Sequence, residues 1–169
     1  MGGIVSAPAI MGVLKGCTAK PTIDWKPQFL SEDQAGIVSQ IAEIIIPRTN
    51  TPGAIDVGVP SFIDVVLKDV YSKEDQDRFL AGLKEFDDEA DTSYGDGFTD
   101  LDADKQKELV MKKHEEAIRA EKSENRPEKR PFILMMKELT MLGFFTSEAG
   151  ATQVLQYDPV PGAYKGCIP

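Results

Sequence analysis

What most constrains the fold of this chain is a series of five apolar stretches at helical spacing, separated by capping residues, prolines and glycines. Ser31-Glu32-Asp33-Gln34 forms a capping box, in which the Ser31 hydroxyl takes the N3 amide and the Gln34 side chain reaches back. Ile37, Ile41, Ile44 and Ile45 follow at helical spacing and Pro47 stops the run, which predicts a helix over 32–46. Residues 47–59 have no period and several turn formers, so they read as a loop. Pro60 suits the first turn of a second helix, whose buried face is Phe62, Ile63, Val66, Leu67 and Val70. Ser72 caps a third, with Phe79, Leu80, Leu83, Phe86 and Ala90, running to about residue 92 before Tyr94-Gly95-Asp96-Gly97 breaks it. A fourth is expected over 102–122 with a thin stripe of Leu109, Val110, Ala117 and Ile118. Pro131 opens a fifth, carrying Phe132, Met135, Met136, Leu139 and Leu142, which Gly143 and the following Phe144-Phe145-Thr146-Ser147 end.

No stretch alternates as a strand with hairpin signals. The expected fold is therefore all-α, about five helices in a single domain, with a core drawn from Ile41, Ile44, Ile45, Phe62, Val66, Leu83, Phe86, Leu139 and Leu142. The chain divides into a signal- or lipobox-like segment (1–17), a linker (18–30), a helical domain (31–156) and an extended C-terminal arm (157–169). Trp25, the lone tryptophan, is expected to dock from the linker onto the domain.

The two ends carry the remaining signals. Residues 2–14 are apolar and uncharged, too short for a stable bilayer span and suited to the h-region of a signal peptide. Leu14-Lys15-Gly16-Cys17 resembles a bacterial lipobox, with Lys15 departing from the pattern, so Cys17 is a candidate for lipidation. The alternatives are a buried N-terminal hairpin or a disordered arm. Export, to a periplasmic and membrane-anchored location, is the expectation. Tyr157, Pro159, Tyr164 and Cys167 in the arm are candidates for docking a partner, because the prolines keep the arm extended and tyrosines anchor interfaces. Cys167 can pair with a partner's thiol, bridge to Cys17 or remain free.

Several chemistries find no support. A net charge of -9 argues against nucleic acid and anionic lipid surfaces. The chain has no GxGxxG, CxxCH, GxSxG or HExxH, so no cofactor, metal or catalytic group is expected in it. The acidic stretch from Asp87 to Asp104 fails as a calcium loop: counted from Asp91, the sixth residue is Asp96 where a glycine is required, and the twelfth is Asp102. His114, among Lys112, Lys113, Glu115 and Glu116, reads as part of a wet helix face. Glu43, Arg48 and Asp64 flank the first two helices and read as a salt-bridged helix end in preference to a functional site.

Taken together, certain segments resemble the gluconate 2-dehydrogenase subunit 3 family. They are Ala42-Glu43-Ile44-Ile45-Ile46-Pro47-Arg48, Thr51-Pro52-Gly53-Ala54, Val57-Gly58-Val59-Pro60 with Phe62-Ile63-Asp64, and Tyr94-Gly95 with Phe98. Thr140 to Glu148 and Tyr157-Asp158-Pro159-Val160-Pro161-Gly162 complete the match. The resemblance implies a non-catalytic small subunit that stabilises and helps export or anchor a flavoprotein of the glucose-methanol-choline type. In such a complex the FAD, and where present haem c, belong to partner subunits: the large dehydrogenase, which oxidises a sugar, sugar acid or polyol, and a cytochrome c. A stand-alone periplasmic lipoprotein with a binding or envelope-organising role is the competing reading.

Overall fold

A computed structural model describes residues 23–123, 127–155 and Gly162. Five α-helices carry the domain: α1 (Glu32–Ile45), α2 (Val59–Asp69), α3 (Lys73–Tyr94), α4 (Ala103–Lys122) and α5 (Phe132–Thr146). A 3-10 turn (Phe98–Asp100) joins α3 to α4, and a π turn (Gly150–Val154) follows α5. No strand occurs among the described residues. The all-α reading and its five helices therefore stand.

The caps act as the sequence predicts. Ser31 Oγ accepts from the Gln34 amide at 3.2 Å while Gln34 Oε1 accepts from the Ser31 amide at 3.0 Å. Ser72 caps α3 and Asp102 caps α4 by accepting from the amides of Asp75 and Lys105. Each satisfies a donor that the first helical turn cannot. Gly95 ends α3 at φ 83°, a conformation that costs other residues more than glycine.

α5 lies at the centre, packed against each of the other four helices. Ile133, Leu134, Met135, Met136, Leu139 and Phe144 of this helix meet Ile41, Ile63, Leu67, Phe79, Leu83 and Leu109 in one continuous core. An aromatic cluster fills one end. Phe86 stands edge-on to Phe98 with ring centres 4.9 Å apart and 5.9 Å from Phe132, which in turn meets Phe79 at 5.2 Å. Gln106, nearly buried, donates to Gln40 Oε1 and to the Phe98 carbonyl, both at 2.8 Å, tying α4 to α1 and to the turn. Trp25 packs on the core together with Ile23 and Phe29, as its docking from the linker requires.

Four expectations need correction. Leu142 is 51% exposed, and Val70 is 72% exposed. Ile44, Ile45, Phe62 and Val66 pack on the core but are only partly buried. The spacing of Val70 is right for the inner stripe, but α2 ends one residue earlier and the turn into α3 swings it outward. Leu142 shares the stripe of buried Met135, two turns on; periodicity gives the side of a helix that faces in, not how far its neighbours extend. Finally, Gly143 does not end α5, which runs on to Thr146. The glycine instead lets Phe62 cross the helix: a Cβ there would lie 2.7 Å from Phe62 Cδ1.

Candidate functional site

The stretch 43–64, where the most specific sequence motif sits, folds into a loop built around two carboxylates. The Ala54 amide donates to the Ile46 carbonyl at 2.9 Å and closes the loop at its neck. Inside it, Glu43 projects from the last turn of α1 and accepts from the amides of Arg48 at 2.9 Å and Ile55 at 3.0 Å. Asp56 accepts from the Gly53 amide at 2.8 Å and from the Arg48 guanidinium, whose Nε lies 2.6 Å from Oδ2. A second guanidinium nitrogen reaches Oδ1 and makes the pair bidentate. These hydrogen bonds hold the Asp56 carboxyl below the usual carboxylate range, the guanidinium first and the Gly53 amide second.

Proline and glycine have specific work in the motif. Gly53 backs onto the loop interior, where a Cβ would lie 2.6 Å from the Arg48 amide nitrogen and closer still to Glu43 Oε1. Gly58, at φ 76°, turns the chain into α2, and Pro60 occupies the first turn of that helix. Gly53→Ala is expected to destabilise the domain by about 1–3 kcal/mol through overpacking. Because the clash is partly with the Glu43 carboxylate, Gly53→Ala with Glu43→Ala should cost less than the two single changes added together. Strict additivity in urea unfolding would refute this account of the glycine.

Asp64 plays a separate part. It is 1% exposed on α2 and accepts three consecutive amides: Gln28 at 2.7 Å, Phe29 at 3.1 Å and Leu30 at 2.8 Å. Glu43, Arg48 and Asp64 therefore do not form one salt-bridged helix end. Glu43 and Asp64 each bind backbone amides, and the Arg48 side chain chooses Asp56. Sequence reading passed over Asp56, which stands at an unspecified position of the motif; no local pattern marks it, because its pairing with Arg48 exists only once the loop closes.

His114 also departs from expectation. It is half-buried, between Val110 and Ala117 on the inner stripe of α4, and its Nε2 lies 3.1 Å from Lys137 Nζ. An ammonium can only donate, so where Lys137 is the donor the imidazole nitrogen accepts. The charged sequence neighbours that made this position look wet occupy other faces of the helix. Ile44, Ile45, Val110 and Met111 join the pair around a cleft of about 200 Å³.

Asp87, at the start of the acidic stretch, accepts from the Phe98 amide at 2.8 Å and so fastens the turn after α3. Among the described residues no group of three or more His, Cys, Asp or Glu side chains converges as metal ligands would. Cys17, Tyr157, Pro159, Tyr164 and Cys167 lie outside the described residues.

A family model described as "Gluconate 2-dehydrogenase subunit 3" matches residues 32–162, from the first residue of α1 into the C-terminal arm. No curated protein and no solved structure matches the chain.

Proposed function

The chain belongs to the gluconate 2-dehydrogenase subunit 3 family, and from that premise we propose that it is the non-catalytic small subunit of a flavin-dependent dehydrogenase complex. The single observation carrying this reading is that the match takes in all five helices and the carboxylate loop, so that the whole domain is the family's unit. In this reading the catalytic partner is a flavoprotein of the glucose-methanol-choline type that binds FAD and oxidises a sugar, sugar acid or polyol. A cytochrome c subunit takes the electrons. The small subunit acts by contact: it stabilises the flavoprotein and accompanies it out of the cytoplasm, with the apolar N-terminal segment as signal and Cys17 as lipid anchor. In the same reading Tyr157, Pro159 and Tyr164 contact the partner, and the Cys167 thiol forms a disulfide with it in an oxidising compartment.

The experiment is co-expression with a flavoprotein of the glucose-methanol-choline type from the same genome, purification through a tag on this chain, and a flavin spectrum of the product. The expected result is a complex holding stoichiometric FAD, while the chain expressed alone is colourless and inactive. A flavin spectrum from the lone chain, or purification of the chain free of any flavoprotein, would sink the reading. On a non-reducing gel the complex is expected to give a band at the summed mass that Cys167→Ser removes.

A further inference from the structure

α5 is apolar nearly all the way round, and its own domain covers only part of it. Ile133, Met136, Leu139 and Phe144 on its inner side are buried, and so are Leu134 and Met135, which stand two turns before Met141 and Leu142 on the same side as they do. On the outer side Met141 is 42% and Leu142 51% exposed, with Phe145 half-buried between them. At about 100° per residue, positions 138, 141, 142 and 145 fall within one arc of roughly 100°. A helix that is apolar on every side is normally enclosed on every side.

The chain turns at the end of the helix and exposes two more apolar side chains there. Gly150 sits against the Phe144 carbonyl, where even a Cβ would not fit, so the π turn folds back onto the end of α5. The Leu155 amide donates to the Gly150 carbonyl at 3.0 Å and closes that turn. Val154 and Leu155, 43% and 48% exposed, stand at its end, where the C-terminal arm begins. Glu148 is an exposed acid at its rim, and Glu138 is exposed there in an ion pair with Arg130. Elsewhere the exposed apolar side chains lie on other elements: Ile55 on the carboxylate loop, Val65 on α2 and Met111 at the cleft beside His114.

We propose that the outer face of α5, with the turn 150–155, is the surface on which the catalytic subunit of the complex docks, through an apolar patch rimmed by cationic groups. This rests on the subunit reading above. Two observations select the occupant. The turn that follows α5 leads into the arm, whose Tyr157, Pro159 and Tyr164 the subunit reading assigns to the same partner, so a partner held by the arm is held near this face. The chain's net charge of -9 and the acid Glu148 at the rim favour a cationic surround.

The test is co-purification of the full chain with the flavoprotein, comparing wild type, Leu142→Glu, the paired change Met141→Gln with Leu142→Asn, and Met111→Glu as an equally exposed control on α4. Flavoprotein recovery is expected to fall at least tenfold for Leu142→Glu and severalfold for the milder pair, and to be unchanged for Met111→Glu. The thermal midpoints of the free chains should stay with wild type, which separates lost docking from lost folding. Undiminished recovery with both α5 variants would overturn the docking surface and leave the subunit reading intact. A wild-type chain that recovers no flavoprotein would overturn both. Two further results would assign the face to another occupant and overturn the proposal: a free-chain dimer that Leu142→Glu dissociates, or a hydrophobic dye that binds only after residues 156–169 are removed.

Discussion

Replacing Phe86 by alanine is expected to lower the unfolding free energy by about 3–5 kcal/mol, the range for truncating a buried aromatic side chain. Phe86 is 2% exposed and touches the rings of both Phe98 and Phe132, so the cavity would open where α3, the 3-10 turn and α5 meet. Those elements belong to three separate parts of the chain, and none can collapse into the void without pulling another away. Leu142→Ala is the counterpart: its side chain is already half in water, and the free chain should lose no more than about 0.5 kcal/mol. Urea unfolding of the two variants decides the matter. Equal losses would mean that the boundary of the core lies elsewhere than along the inner side of α5.

Asp64→Ala is expected to cost about 3–5 kcal/mol, although it removes little apolar contact. Hydrogen bonds to a charged acceptor contribute roughly 1.5–3 kcal/mol each, and three amides lose theirs at once. The Gln28 and Phe29 amides are near enough to the surface to regain water, which keeps the total below the sum; the Leu30 amide is buried. Asp64→Asn keeps the oxygen that serves Phe29 and Leu30 if the amide group turns its nitrogen toward Gln28, and should cost less. The loss should be local before it is global. Residues 23–30 would release from α2, exposing Trp25, so a red shift in tryptophan emission should precede the main unfolding transition. A variant with wild-type emission and an unchanged urea midpoint would show that Asp64 does not secure this segment.

Much of the fold is legible in the sequence, because the relevant information is local. Ser31, Ser72 and Asp102 lie three residues before the amides they cap, and such a reach depends only on the backbone of a single turn. Pro60 and Gly95 fix their own dihedral angles wherever they stand. The inner stripes of α1, α3 and α4 follow from a spacing of three and four residues, and there the expected core residues Ile41, Leu83 and Phe86 are buried. The family resemblance was legible for a related reason: the motif from Ile44 to Val59 is a closed loop, and a closed loop demands particular residues at particular steps.

What was not legible depends on distance along the chain. Asp64 meets amides 34–36 residues before it, and nothing near position 64 announces that. Asp56 and Arg48 are eight residues apart with a turn between them, a separation at which no helix or strand brings side chains together. His114 was misjudged by its sequence neighbours, since adjacent helical residues point in different directions while Lys137 comes from another helix altogether.

The sequence by itself determined that the described part of this chain is a set of capped helices, and where each helix begins, because capping and periodicity are settled within a turn or two. Only the tertiary structure decided which apolar residues those helices bury and which they leave exposed. Burial is a property of how far neighbouring helices extend over one another, and so Leu139 and Leu142, alike in type and three residues apart on α5, end on opposite sides of the protein surface.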